Sequence, residues 1–273
     1  MPIGFGAYVK DSNGEYHLFT GNMIASLIAE YTLSQSKLQD NLPKDGYVIK
    51  TIVTTTLLNS ITGNYGVKLF EVLPGFKWIG RKMRETEESN SGTFLSGYEE
   101  SYGYLVGAET KEKDAVVCAM VFCEALAYCK SKGITLWDYM VSIYEKYGYY
   151  KESIINVAFT GVEGQMKMKD IMEYLSANPL NEIAGYKVKF IRNYKNDTIL
   201  NVDTNKVMPT GLANSNIIYY DLEDNAWICI RPSGTEPKIK FYYGLKGSSF
   251  DDTSARAAKF ETWLRNEPLQ YVI

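Results

Sequence analysis

The sequence lacks the features that mark nucleic-acid-binding, disulfide-rich or zinc-binding proteins. Its 273 residues contain 29 Lys and Arg against 32 Asp and Glu, a formal net charge of −3, so there is no basic excess to neutralise the phosphates of a nucleic acid. The four cysteines show no paired spacing of a zinc site. They are interpreted as reduced core cysteines of a cytoplasmic protein.

Long apolar runs are also missing. The most apolar stretch, residues 114–133, is interrupted by Glu124, well short of the ~18 uninterrupted apolar residues that a membrane span needs. It is predicted to be a buried helix with Asp114 as its N-cap and Gly133 just after its end. We expect no export signal, because the N-terminal residues lack a basic stretch followed by a long apolar one. The single histidine, His17, is interpreted as a strand residue without a sequence partner for metal binding or acid-base chemistry.

What is present is an alternation of strand and helix patterns. This alternation predicts a three-layer α/β domain with a mostly parallel sheet over residues 18–178. After Asn178-Pro179 the pattern changes to four strand-like runs and a closing helix, which predicts a smaller α+β domain with a mainly antiparallel sheet over residues 179–273. Residues 1–17 are typical of a strand or hairpin with no sheet of its own to join.

The stretch "RPSGTEPK" lies between two of the later strand-like runs and is longer than a tight turn requires. Arg231 offers a planar fork of donors that matches phosphate oxygens, and Ser233 and Thr235 offer hydroxyls. The backbone N–H groups of Ser233, Gly234 and Thr235 are predicted to converge into an anion-binding nest. The alternative is a rigid exposed turn with an ordinary surface arginine.

A second polar cluster, "GYEESYG", contains Glu99, Glu100 and Ser101 between glycines. Carboxylates and a hydroxyl suit the hydroxyl groups of a sugar, whereas a solvated acidic turn is the alternative. Glycoside hydrolysis is disfavoured, because it needs two carboxyl groups about 5.5 Å or more apart across one bond and chain neighbours point to opposite sides.

A third stretch, "LPGFKW", follows a predicted strand. Lys77 and the preceding Gly75 come after the carboxyl end of that strand, where open α/β sheets usually bind ligands. An ordinary surface lysine is the alternative. The sequence has no glycine-rich nucleotide loop, nucleophile elbow or carboxylate cluster of metal-ligand spacing.

These three stretches, in this order, resemble the α-D-phosphohexomutase family, in particular its bacterial phosphoglucomutase and phosphomannomutase branch. "RPSGTEPK" is similar to the family's phosphate-binding loop, "GYEESYG" to its sugar-binding loop and "LPGFKWI" to an interdomain loop of the Gly-Phe-Lys-Trp-Ile type. The family has four domains, and the resemblance implies that this chain is the third and fourth. Pro74 departs from the family, which often has threonine there.

The resemblance implies a parent enzyme that interconverts hexose 1-phosphate and hexose 6-phosphate through a bisphosphate intermediate. Glucose 1,6-bisphosphate is then the intermediate and activator, and Mg²⁺ the cofactor. The family's phosphoserine loop and aspartate-rich magnesium loop have no counterpart here, so no catalytic residue and no metal ligand is expected in this chain. Residues 1–17 resemble the tail of the second domain. A domain fragment without its N-terminal domains, inactive when isolated, is therefore expected.

Site roles follow from the same resemblance. Arg231, Ser233, Gly234 and Thr235 are expected to bind the substrate phosphate. Glu99 and Ser101 are expected to bind sugar hydroxyls that glucose and mannose share, while Gly75 and Lys77 are assigned to the same cleft. Expected partners are a hexose phosphate and the missing N-terminal domains, with no nucleic acid and no membrane. A naturally short, non-catalytic phosphosugar-binding protein is the alternative.

Overall fold

Two compact units make up the chain. A computed structural model describes residues 4–212, 214–234 and 236–266. The contacts between residues divide the chain into Met1–Gly148, here called unit 1, and Tyr149–Ile273, called unit 2.

Unit 1 alternates strands and helices, as predicted. Its elements are β1 (Ala7–Lys10), β2 (Tyr16–Phe19), α1 (Gly21–Leu38), β3 (Gly46–Thr51), α2 (Leu57–Tyr65), β4 (Lys68–Val72), α3 (Phe76–Glu88), β5 (Thr93–Glu99), β6 (Gly103–Val106), α4 (Ala115–Ser131) and α5 (Leu136–Tyr147).

The four-stranded sheet of unit 1 has the order β4-β3-β5-β6. β3 is parallel to both β4 and β5, whereas β6 is antiparallel to β5. On one face, Ile79 of α3 packs in a core cluster with Ile49 and Leu105. Tyr104 points to the opposite face, since side chains alternate along a strand, and its hydroxyl donates to the carbonyl of Gly21 in α1. Helices on both faces confirm the predicted three-layer α/β architecture.

The N-terminal hairpin β1–β2 packs on helices of unit 1. The His17 ring stacks on the indole of Trp137 in α5 with centroids 3.9 Å apart, and Phe19 lies edge-on to Phe122 in α4. The expectation that His17 has no partner is wrong: its Nε2 lies 2.9 Å from Oδ2 of Asp11. The hairpin turn brings the two residues together, which sequence spacing alone does not reveal.

Unit 2 is built from strands and two helices. Its elements are β7 (Tyr149–Ala158), α6 (Gly161–Ala177), β8 (Glu182–Ile183), β9 (Tyr186–Asn193), β10 (Thr198–Asn201), β11 (Val207–Met208), β12 (Ile218–Leu222), a 3₁₀ turn (Glu223–Asn225), β13 (Trp227–Pro232), β14 (Lys238–Gly247) and α7 (Phe250–Asn266).

The main sheet of unit 2 has the order β11-β10-β9-β12-β13-β14-β7, with β8 paired to β9 outside this path. All its pairings are antiparallel, as predicted for the second domain. Leu175 of α6 and Phe260 of α7 belong to one core cluster with Ile230 and Phe241 of the sheet. Both helices therefore pack on the same sheet face.

The division between the units comes earlier in the chain than the boundary predicted near residue 178. β7 pairs with β14 along its whole length, from Tyr149 opposite Gly247 to Ala158 opposite Lys238. This pairing joins β7, and α6 after it, to the antiparallel sheet of unit 2. Such a pairing between strands far apart in sequence has no local signal.

The prediction that α4 is a buried helix is wrong. Asp114 caps it as predicted by accepting the N–H groups of Val116 and Val117, and Gly133 has the expected left-handed φ of 72°. However, the side chains of Val116 and Met120 are 66% and 65% exposed. Hydrophobicity alone does not tell which sides of a helix have a neighbour to pack against.

None of the four cysteines, all of which lie in the described part of the chain, forms a disulfide. Cys118, Cys129 and Cys229 are buried, as predicted, but Cys123 is exposed on α4. Among the residues that the structure describes, no helix combines the length and apolar character needed to cross a membrane.

Candidate functional site

The acidic loop between β5 and β6 contains the predicted sugar-binding residues. Glu99 ends β5 opposite Gly103 of β6, so Glu100, Ser101 and Tyr102 form a three-residue hairpin loop. Tyr102 adopts the left-handed conformation with φ of 61°, which is usual for the last residue of such loops. Glu99 is only 7% exposed, whereas Ser101 is exposed at the tip.

Glu99 has a cationic neighbour that the sequence reading missed. The ammonium group of Lys113 lies 3.6 Å from Oε2 of Glu99. A Cβ atom on Gly103 would come within 2.9 Å of the same oxygen, so the glycine leaves room for the carboxylate. Lys113 comes from the charged segment before α4, and only the tertiary fold brings it to the loop.

A buried polar network at the carboxyl end of β3 supports this loop. Thr51 donates to Oε2 of Glu100 at 3.3 Å, and Thr54 donates to the carbonyl of Tyr98. The fully buried Lys50 donates to the carbonyl of Thr54 at 3.1 Å and forms an ion pair with Glu71 at 3.0 Å. The network ties the loop to the parallel strands, which limits its freedom to move.

Gly75 and Lys77 lie where β4 gives way to α3. Gly75 is the residue before the helix and has a φ of 120°, a conformation that favours glycine. Lys77 belongs to the first helical turn, is exposed, and places its ammonium group 5.3 Å from the centre of the Trp78 ring. The position after a strand's carboxyl end agrees with the prediction, and its role as a cleft residue stays a prediction.

The predicted phosphate loop joins β13 and β14 of unit 2. Arg231 lies in β13 directly opposite Lys240 of β14. Both are half-buried and point away from the core face of Ile230 and Phe241, with which they alternate. Neither cation has a side-chain hydrogen bond or ion pair within the described part of the chain. Like charges directly opposite each other in a sheet repel, so this pair favours an anion between them.

The loop itself only partly matches the expected ring of amides. The N–H of Ser233 donates to the carbonyl of Lys238 at 2.8 Å, so this amide serves the hairpin. Gly234 is exposed, and a Cβ atom there would meet nothing within 4 Å. Thr235 lies outside the described residues. The hydrogen bond that Lys238 donates to Glu236 lowers the pKa of the glutamate.

Lys240 is the second residue that the sequence reading missed. With Arg231 and Lys238 it places three cations at this end of the hairpin against the single carboxylate of Glu236. The sequence does contain a sign of this cationic cluster, since "KIK" follows the loop directly. Recognising it required the strand register that sets Lys240 opposite Arg231.

One group of potential metal ligands occurs among the described residues. Asp11, Glu15 and His17 have ligand atoms within 4.8 Å of one another. Asp11 accepts the N–H groups of Asn13 and Glu15, and a hydrogen bond with His17 lowers the pKa of its carboxyl. These contacts describe a hairpin turn closed by a side-chain hydrogen bond. Mg²⁺ prefers carboxylate and water oxygens in octahedral geometry, so the group does not fit the implied magnesium loop.

Known proteins resemble both units. The family model "Phosphoglucomutase/phosphomannomutase, alpha/beta/alpha domain III" matches residues 20–147. A phosphoglucomutase of Staphylococcus aureus strain N315 is 34% identical over 252 residues, which are 92% of this chain and 44% of that enzyme. The chain thus spans less than half the length of this relative.

Solved structures share the fold. The Paramecium phosphoglucomutase pp63/parafusin in its open form aligns with 95% of this chain and 43% of its own, with a TM-score of 0.61 and 16% identity. A phosphoglucomutase/phosphomannomutase family protein of Burkholderia thailandensis aligns with 96% of this chain and 44% of its own, with a TM-score of 0.56 and 14% identity. Residues 20–147 of unit 1 thus match the phosphoglucomutase/phosphomannomutase domain III model, and the chain as a whole is similar to part of a phosphoglucomutase.

Proposed function

We propose that this chain binds a hexose phosphate and serves an enzyme that interconverts hexose 1-phosphate and hexose 6-phosphate. The observation that carries the proposal is the pair of like charges formed by Arg231 and Lys240. Two cations held side by side repel each other, and a phosphate dianion removes that repulsion. The kinship with phosphoglucomutases supports a sugar phosphate as the source of the dianion.

The phosphate loop recognises its ligand by charge and by donor geometry. The guanidinium of Arg231 can donate two parallel hydrogen bonds to one phosphate, whereas Lys240 acts as a point charge. Gly234 leaves the loop open where the anion approaches. Ser233 and Thr235 supply hydroxyl donors in this proposal. We assign no catalytic residue to this loop. Its role in the proposal is to hold the phosphate of the substrate that is not being transferred.

The acidic loop of unit 1 recognises sugar hydroxyls. Glu99 accepts hydrogen bonds from sugar hydroxyls through a carboxylate that lies 3.6 Å from the ammonium group of Lys113, and Ser101 both donates and accepts. The threonine network below the loop holds these groups in place before the sugar arrives. Such positioning matters in phosphoryl transfer, where catalysis depends mainly on orientation and charge neutralisation.

The remaining chemistry is assigned to parts of the longer enzyme. In that enzyme a phosphorylated serine would donate the phosphoryl group, glucose 1,6-bisphosphate would be the intermediate, and Mg²⁺ would offset the charge that develops on the phosphoryl oxygens. No residue of this chain is assigned to either role. The chain alone is therefore expected to bind the phosphosugar without converting glucose 1-phosphate to glucose 6-phosphate.

Titration calorimetry with glucose 1,6-bisphosphate tests the binding. Arg231→Ala is expected to weaken binding by about 10- to 150-fold, since a charge-assisted bidentate contact contributes about 1.5 to 3 kcal/mol. Arg265→Ala, which removes an exposed arginine of α7, serves as the matched control and leaves the affinity unchanged. Equal affinity of the wild type and Arg231→Ala would remove the phosphate loop from the proposal, and turnover in a coupled assay would refute the inactivity.

A further inference from the structure

Helix α4 presents a continuous apolar seam to solvent. Val116, Met120, Cys123 and Ala127 are all exposed, and they recur at intervals of four, three and four residues. This is the heptad spacing with which one helix packs along another. These four residues are here called the α4 seam.

The seam is not needed to hold α4 on unit 1. A different set of residues, Cys118, Phe122, Ala125 and Cys129, is buried and anchors the helix. Exposed apolar side chains scattered singly need no explanation, whereas a contiguous row marks an interaction surface. The row also lies on a regular helix, which gives a partner a rigid surface to bind.

We propose that the α4 seam packs against the α4 seam of a second copy of this chain, with the two helices antiparallel. A two-fold axis midway between Met120 and Cys123 places each Met120 against Cys123 of the second copy. It also places each Val116 against Ala127 of the second copy. Both contacts join a large and a small side chain, the combination that lets two helices interdigitate.

Charge favours the antiparallel direction and a second copy as the occupant. Glu112 is exposed just before α4, and Lys130 is exposed in its last turn. An antiparallel pair brings Glu112 of each copy to Lys130 of the other, whereas a parallel pair sets like charges side by side. The antiparallel arrangement also pairs the opposite ends of the two helix dipoles.

The extent of the seam sets the strength of the dimer. α4 has 17 residues and is about 25 Å long, so one such helix covers less than the ~800 Å² per partner of a standard stable interface. We therefore expect a weak dimer that forms between about 10 and 500 µM.

Sedimentation velocity under reducing conditions, from about 5 to 500 µM, tests the proposal. The wild type is expected to shift from monomer to dimer, while Met120→Glu and Met120→Lys each remain monomeric. An equimolar mixture of the two variants is expected to regain the dimer, because a two-fold seam then sets Glu and Lys close together. Leu38→Glu, which changes a residue that is 75% exposed on α1, is the matched control and leaves the equilibrium unchanged.

Cys123 supplies a second measurement. It is the one exposed cysteine within the described residues, so a bismaleimide with a spacer of about 10 Å, comparable to the distance between packed helices, is expected to join two wild-type chains. Met120→Glu and Cys123→Ser are expected to abolish this cross-link. A wild type that stays monomeric at the highest concentration would overturn the proposal and leave the seam to another protein. A mixture of Met120→Glu and Met120→Lys without dimer would overturn it too.

Discussion

Two glycines near the proposed sites differ in the space that surrounds them. At Gly21, the first residue of α1, a Cβ atom would lie 2.0 Å from the carbonyl oxygen of Glu100, so the packing of the chain itself excludes a side chain. At Gly234 a Cβ atom would meet nothing, and φ is not in the left-handed region. Nothing in the described structure requires glycine there, so the open approach that Gly234 gives a phosphate stays part of the proposal.

Gly234→Ala separates binding from folding. We expect its free energy of unfolding to change by less than about 1 kcal/mol, since alanine fits the backbone, while the affinity for glucose 1,6-bisphosphate falls by about tenfold or more. Gly21→Ala is the contrasting variant and is expected to lose about 2 kcal/mol or more, because the backbone must move. Urea unfolding and titration calorimetry measure the two quantities. Unchanged affinity in Gly234→Ala would contradict a phosphate bound against this glycine.

Residue types alone predicted part of the candidate site. The loops with Arg231 and Glu99 are recognisable because donor-rich or acidic residues lie together in sequence between apolar runs. Lys240 and Lys113 were missed because their neighbours are set by strand register and tertiary contact. The register also shows that the N–H of Ser233 is used within the hairpin, which no local pattern reveals.

At the scale of elements, the sequence predicted which segments are helices or strands better than it predicted which elements pair or pack together. The strand-helix alternation of unit 1 and the strands of unit 2 follow from local periodicity. The place of β7 does not, because its partner β14 comes after α6 and six further strands. α4 is the converse case: its apolar composition predicted a helix correctly, yet its outer side faces solvent.

The helix caps permit a prediction with a built-in control. Thr135 accepts the N–H of Asp138, and Asp138 accepts the N–H of Thr135, which forms a capping box at the start of α5. Thr160 has the corresponding position before α6, but its side chain makes no capping hydrogen bond. We expect Thr135→Ala to lower the free energy of unfolding by about 1 kcal/mol and Thr160→Ala to change it by less than about 0.5 kcal/mol.

Thermal and urea unfolding followed by circular dichroism measure both variants. Thr160→Ala controls for the loss of a threonine side chain as such, because it removes the same atoms from the same helix position. An equal loss in the two variants would show that the hydrogen bonds of the capping box do not account for the effect.

At the scale of the whole molecule, the abundant tyrosines couple stability to alkaline pH. Burial is the main cause that raises the pKa of a set of tyrosines above the usual value near 10, and for Tyr31 the pKa reaches about 12. The others with raised pKa values in unit 1 are Tyr65, Tyr98, Tyr104, Tyr139 and Tyr147. In unit 2 they are Tyr220 and Tyr243.

The sign of the effect follows from proton binding. Above pH 10 these hydroxyls lose their protons in the unfolded chain but keep them in the folded one. The unfolded state then binds fewer protons, so the free energy of unfolding falls as the pH rises. Each tyrosine that ionises only on unfolding contributes about 1.4 kcal/mol per pH unit. Burial also raises the pKa of the Cys118 and Cys129 thiols in unit 1, from 9.0 to about 12 and about 11. Because thiols of the unfolded chain ionise at lower pH than its tyrosines, unit 1 begins to lose stability at a lower pH than the tyrosines alone would cause.

Because unit 1 holds more of these groups than unit 2, we expect unit 1 to lose stability first as the pH rises from about 8 to about 11. Limited proteolysis at increasing urea, with the fragments mapped by mass spectrometry, distinguishes the units. At pH 8 the order of cleavage serves as the reference. At pH 11 the first new cleavages are expected within residues 4–147, while tyrosinate absorbance rises only as the chain unfolds. Cleavage that begins in unit 2, or tyrosines that ionise in the folded chain near pH 10, would contradict the coupling between burial and stability.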